Sequence, residues 1–220
     1  MRKVLIAIPC MDQVPAQFAN SIATLASYGI EGIEISLRFN LGSLIYNSRN
    51  DLAKAAISEG ADFMMWFDSD MVFNPETLLH MLDVIDRENA DFVTGVYYRR
   101  TAPFTPTIFK TLDIDAIGNA EWTEFDEVPD GLFEVAGCGF GCVLMRTDVA
   151  MSVFSRFERM FSPIGEVGED LSFCWRARQC GYKLIADSTI PLGHVAHTMV
   201  TKSFYHNYKK TIEKRANNDS

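Results

Sequence analysis

The sequence predicts an α/β domain with a mostly parallel central sheet, helices flanking it and a small antiparallel part. Three observations carry this. Phe63-Met-Met-Trp-Phe67 follows Gly60 as a short, wholly apolar run, the pattern of a strand covered on both faces. Strand and helix patterns alternate through the first hundred residues, as parallel βαβ units do. The second half changes to short, closely spaced strand patterns of antiparallel type.

Taken in order, residues 4–8 are apolar and form a first strand. Residues 16–28 carry apolar side chains at helical spacing, and Gly29 stops that helix. Residues 32–35 are a short second strand. Asn47-Ser48 caps a helix bearing Leu52, Ala55, Ala56 and Ile57 and ending at Gly60. After the apolar strand, Asn74-Pro75-Glu76 opens a helix with an Asn cap and a first-turn proline, and residues 91–95 form the next strand. Residues 107–110, 121–125 and 132–135 are short strands of the antiparallel part, and 141–146 a central strand. A helix from about 168 to 179 ends before Gly181, followed by a strand over 182–186.

At 220 residues, with 48% hydrophobic and 22% charged residues, the chain is long enough for one well-cored domain. A net charge of −9 argues against nucleic acid as a partner, because phosphate backbones demand a basic surface. The opening Met1-Arg2-Lys3 and its apolar sequel resemble a leader, but Pro9 and Asp12 interrupt it, so a first strand is the better reading. No apolar stretch approaches the roughly 20 residues that span a bilayer. Five cysteines suit reduced thiols rather than a disulfide scaffold. A cytoplasmic location is expected on these grounds.

The chemistry concentrates in two acidic features. Asp68-Ser69-Asp70 follows the buried strand at once. Unpaired charge is not retained inside such a sheet, so these aspartates belong at the strand's carboxyl end, where open α/β sheets bind ligands. Two carboxylates one residue apart suit a hard divalent cation and leave room for substrate phosphates. Gly168-Glu169-Asp170 opens a helix, where acidic residues also serve simply to satisfy free N–H groups and the helix dipole. Cys138-x3-Cys142 with His194-x2-His197 has zinc-like spacing, but the cysteines lie in a glycine-rich stretch suited to tight packing.

Four stretches together resemble a known family. They are Ile6-Ala-Ile-Pro9; Ser48-Arg49-Asn50, leading through Gly60-Ala-Asp62 to Phe67-Asp68-Ser-Asp70; Gly168-Glu169-Asp170 followed by Arg176-Ala-Arg-x-x-Gly181-Tyr182; and Leu192-Gly193-His194. In this order they resemble a glycosyltransferase of the GT-A fold, most similar to glycosyltransferase family 2, over the chain to about residue 200. The resemblance implies one GT-A catalytic domain over 1–200. Residues 1–100 would be its nucleotide-binding half and 101–200 its acceptor half, with 201–220 a C-terminal helix and tail.

It further implies a metal-dependent, inverting transfer of a sugar from a UDP- or GDP-sugar to an acceptor hydroxyl on a carbohydrate or other molecule. Manganese or magnesium would be held by Asp70, by Asp68, which also reaches the donor's ribose, and by His194 or, as a competitor, His197. Asp170 would be the general base and Glu169 its helper. Arg49 would reach the donor's phosphates or base, or else be a solvated helix-end arginine. The loop from Pro9 to Asp12 would receive the base, with Asp12 bonding it. Arg99 and its neighbour Arg100 either hold a phosphate or anionic sugar or form a surface pair. Gly139 and Phe140 are acceptor-side candidates, with tight strand packing as the alternative.

The tail carries Phe204, Tyr205 and Tyr208 among lysines. It suits a terminal helix packed on its own domain, or peripheral contact with an anionic membrane. Two other functions are open: nucleotidyl transfer, although Ile8-Pro9-Cys10-Met11-Asp12 lacks a glycine-rich phosphate loop, and a non-catalytic nucleotide-sugar or carbohydrate-binding domain on the same scaffold.

Overall fold

A computed structural model describes residues 1–42, 44–115, 117–196, 201, 202, 209 and 210. His197 and all of the expected C-terminal helix and tail except 201, 202, 209 and 210 lie outside them. In chain order, the first half contains β1 (Arg2–Cys10), α1 (Ala16–Tyr28), β2 (Ile33–Leu41), α2 (Ile45–Ser58), β3 (Phe63–Phe67), β4 (Met71–Phe73), α3 (Thr77–Glu88) and β5 (Phe92–Gly95). The second half contains β6 (Ile108–Ile114), β7 (Ala120–Glu124), β8 (Leu132–Val135), β9 (Gly137–Cys138), β10 (Cys142–Arg146), α4 (Thr147–Phe157), α5 (Glu169–Gln179), β11 (Leu184–Asp187) and β12 (Leu192–His194).

Seven strands form the central sheet in the order β2-β1-β3-β10-β5-β11-β8. β2, β1 and β3 run parallel, as do β5 and β11, while β10 is antiparallel to both β3 and β5, and β8 to β11. The apolar run 63–67 is buried throughout because β1 and β10 flank it and both sheet faces are covered. Alternate β3 side chains feed two cores. Met64 and Trp66 join the one that contains residues of α2, α4 and α5. Phe63, Met65 and Phe67 join the one with α1 and α3. Two small antiparallel sheets complete the fold: β12 with β4, and β7-β6-β9.

Several local expectations shift. α2 starts at Ile45, two residues before the expected Asn47-Ser48 cap, because Asn47 N–H and Ser48 N–H already bond the Leu44 carbonyl. α3 starts at Thr77, and Asn74-Pro75-Glu76 is instead the turn before it, closed by Thr77 N–H to the Asn74 carbonyl. α4 was not legible as a separate element, since β10 runs into it at Arg146 with no glycine or proline between. No helix among the described residues is long and apolar enough to cross a membrane.

Candidate active site

The carboxyl ends of β1 and β3 open onto a cavity of 390 Å³. Pro9, Cys10 and Met11 enter it from the end of β1, Gly42 from the connection after β2, and Ile45 from the first residue of α2. Asp68 is the first residue beyond β3. Its N–H donates to the Gly141 carbonyl (3.3 Å), and its carbonyl accepts from Met71 N–H (3.1 Å), turning the chain into β4. Asp68 and Asp70 therefore leave the sheet where charge can meet water, and both line the cavity with Ser69.

Arg49 lies beneath these groups, its side chain only 3% exposed. Nη2 donates to Asp68 Oδ1 (2.8 Å) and Nε to Glu169 Oε1 (3.1 Å). The guanidinium carbon lies 5.8 Å from the Trp66 ring centroid and 5.3 Å from that of Phe140, within range of cation–π attraction. Burial disfavours its charge, but Asp68, Glu169 and Asp170 outweigh that and hold it firmly protonated. One buried side chain thus ties the end of β3 to the start of α5, and its partner Glu169 lies 120 residues from it in the chain. The solvated helix-end alternative for Arg49 is set aside by this burial.

Asp70 faces two donors on one oxygen: Arg100 Nη1 lies 2.6 Å from Oδ2 and His194 Nε2 3.3 Å. Burial raises the Asp70 pKa, yet the His194 hydrogen bond and the charges of His194 and Arg100 bring it below the usual value. His194 arrives through the antiparallel β12–β4 pairing, opposite Met71. Its Nδ1 lies 2.9 Å from the Tyr98 carbonyl. A carbonyl only accepts, so Nδ1 carries a proton, and Nε2, which faces Asp70, donates to it when the ring is protonated. The hydrogen bond to Asp70 is the chief influence raising the His194 pKa.

Glu169 and Asp170 form the first turn of α5, and both line the cavity. Asp170 Oδ1 accepts from Leu171 N–H at 2.8 Å. Burial, then the neighbouring Glu169, pushes the Asp170 carboxyl up to about 6, against the opposing pull of Arg49.

The remaining expected residues divide. Pro9 lines the cavity, whereas Asp12 is exposed and outside its lining. Arg99 is likewise outside, paired with Glu124 at 3.3 Å, and it is Arg100 that enters. The isolated bridge between Tyr98 and Pro106 anchors the chain just before this pair, and the two side chains then part, Arg99 to Glu124 and Arg100 to Asp70. Gly139 is a packing position: a Cβ there would collide with the Tyr97 hydroxyl, which accepts from Gly141 N–H at 3.0 Å. Phe140 is wholly buried against Trp66, Phe92, Phe161 and Phe173. Its apolar ring is stabilised by that core and has no face toward an acceptor. Phe140→Leu is accordingly expected to lower stability by about 1–2 kcal/mol and leave acceptor KM unchanged, read by urea unfolding and steady-state kinetics.

Cys138 and Cys142 are also core groups, Cys138 Sγ lying 4.0 Å from Cys174 Sγ and Cys142 Sγ 3.8 Å from Met81 Sδ. Among the described residues, no group of three or more His, Cys, Asp or Glu side chains is placed to hold a metal. A hard cation of the magnesium or manganese type needs fewer, since it takes one or two carboxylates and draws its other oxygens from water and substrate phosphates. Asp68 and Asp70, which line the cavity, are carboxylates of that kind, and His194 Nε2 lies 3.3 Å from Asp70 Oδ2. Asp68, Asp70, Glu169 and Asp170 outnumber the two arginines in the cavity, so its own charge favours a cation.

Sheet order, helix placement and a ligand cavity at the strands' carboxyl ends define the GT-A fold. The sequence pattern of glycosyl transferase family 2 matches residues 29–154, and the chain belongs to that family. Among solved structures, A197 from STIV is similar, with a TM-score of 0.62 and 19% identity over 90% of this chain and 87% of that one. At that identity the likeness speaks for the fold. No curated protein matches the sequence.

Proposed function

We propose that this family 2 glycosyltransferase moves a sugar from a nucleotide-diphosphate sugar, UDP- or GDP-linked, to an acceptor hydroxyl with inversion at the anomeric carbon. The observation that carries the reading is that Asp68, Asp70, Glu169, Asp170 and His194 all line one cavity. In this proposal residues 1–100 form the donor half and 101–200 the acceptor half of one catalytic domain. The base lies against Pro9 and the β1 end, while Asp68 serves the ribose side. Asp70, Asp68 and His194 would hold manganese or magnesium, which would offset the charge growing on the departing diphosphate.

Asp170 takes the acceptor's proton as the acceptor oxygen bonds to the anomeric carbon and the bond from that carbon to the diphosphate oxygen breaks. A carboxyl with a pKa near 6 is ionised at neutral pH yet basic enough for that task. Glu169 is held by Arg49 and orients the start of α5. The buried free thiols suit the reducing cytoplasm, where the donor is used on this reading.

Calorimetric titration of UDP and GDP, each with manganese and with EDTA, tests this. Binding of one nucleotide only with the metal, weakened at least about tenfold in Asp70→Ala, is the expected result. Absence of binding for both nucleotides under either condition would overturn the donor assignment.

A further inference from the structure

We propose that Arg100 is a phosphate-binding arm released by the metal: it rests on Asp70 while no cation is bound there and turns to the donor's diphosphate once one is. This rests on the nucleotide-sugar reading above. Asp70 Oδ2 is held by Arg100 Nη1 at 2.6 Å and faces His194 Nε2 at 3.3 Å. It is thus the Asp70 oxygen that faces His194, the other side chain assigned to the cation. A guanidinium and a divalent ion repel one another at contact distance, so Arg100 must leave Oδ2 for the ion to bind there.

Arg100 is built to leave. Its side chain is 56% exposed. The backbone beside it is fixed independently, by Arg99 N–H donating to the Thr105 carbonyl at 2.9 Å and by the bridge between Tyr98 and Pro106. The side chain therefore has somewhere to swing without moving its loop. Arg49, the cavity's other guanidinium, has no such freedom, being 3% exposed and spent on Asp68 and Glu169. Of the two, Arg100 alone can carry its charge to an incoming anion. A guanidinium's planar fork matches two phosphate oxygens at once, and four carboxylates around the cavity otherwise repel a diphosphate.

The consequence is a pair of effects with opposite sign. Arg100 weakens binding of the metal alone, because it occupies a ligand oxygen. It strengthens binding of a nucleoside diphosphate once the metal is present. An arginine that only props the cavity would change both affinities in the same direction when removed.

The test titrates the full chain with manganese alone, and then with UDP and GDP at saturating manganese, for wild type, Arg100→Gln and Arg100→Lys. In Arg100→Gln, manganese alone is expected to bind about three- to tenfold more tightly and the preferred diphosphate about 10- to 100-fold more weakly. Arg100→Lys, which keeps the charge but not the fork, should fall between. Unchanged affinities in Arg100→Gln, or affinities that shift together, overturn the role of Arg100 while wild-type nucleotide binding leaves the donor reading standing. A wild-type protein that binds neither diphosphate with manganese overturns both.

Discussion

Asp170→Asn is expected to abolish transfer, lowering kcat by about 10²–10⁴-fold, while donor binding measured by calorimetry stays within about twofold of wild type. The amide keeps the shape of the side chain and loses the ability to accept a proton. The pH dependence follows from the same group. Burial and Glu169 place the Asp170 carboxyl at about 6, and the base must be ionised, so kcat/KM of the wild type should rise with pH to a plateau above about 6. A cation bound nearby moves that limb to lower pH.

Stability should change in the opposite sense to activity. A carboxyl raised from 3.8 to about 6 favours its protonated form in the fold, so its ionised form opposes folding above pH 6. The shift corresponds to about 3 kcal/mol at most, and partial solvent contact reduces it. Asp170→Asn should therefore be about 1–3 kcal/mol more stable than wild type at pH 7.5. The difference should vanish below about pH 4, where both forms are neutral. Urea unfolding at several pH values reads this, and an Asn variant less stable than wild type at pH 7.5 would contradict it.

Arg49→Met is expected to destabilise the protein by about 3–5 kcal/mol. The loss comes less from the pair's own worth than from leaving Asp68 and Glu169 partly buried without their cation. Arg49→Lys should recover only part of it, because one ammonium group on a flexible stem cannot reproduce donation from Nε and Nη2 to two separate carboxylates. Urea unfolding of the three proteins checks the order. The Met variant carries a second expectation. Arg49 is one of the influences holding the Asp170 carboxyl down, so the acid limb of residual activity should move to higher pH. A limb unmoved in a folded variant would show that Arg49 and Asp170 are electrostatically independent.

Much of the sheet and of the acidic cavity is legible in the chain because the signals there are local. The run 63–67 is too apolar for a half-exposed strand, and Asp68 directly after it marks the strand's exit. Residues 16–28 form a helix at the expected bounds, and residues 132–135 the expected strand. The helix carrying Glu169 and Asp170 begins within one residue of its expected start. Composition, periodicity and glycine stops were enough for these, since each depends on neighbours within a turn or two.

What the chain alone leaves open depends on partners far away in sequence. Nothing in residues 48–50 says that Arg49 will bridge Asp68 and Glu169 rather than meet solvent. That requires α2, β3 and α5 to converge on one end of the sheet. Arg99 and Arg100 are chemically equivalent as text, and only the fold sends Arg100 to Asp70 and Arg99 to Glu124. Phe140 sits in a glycine-rich stretch that suits a ligand loop equally well, until four aromatic rings close around it. Most of the central strands and flanking helices and the two acidic clusters can be read from the residues alone, because backbone propensity and local burial are encoded within short windows. Tertiary structure alone decided which charges meet, because the strength of a contact between charges depends on their distance and burial in space.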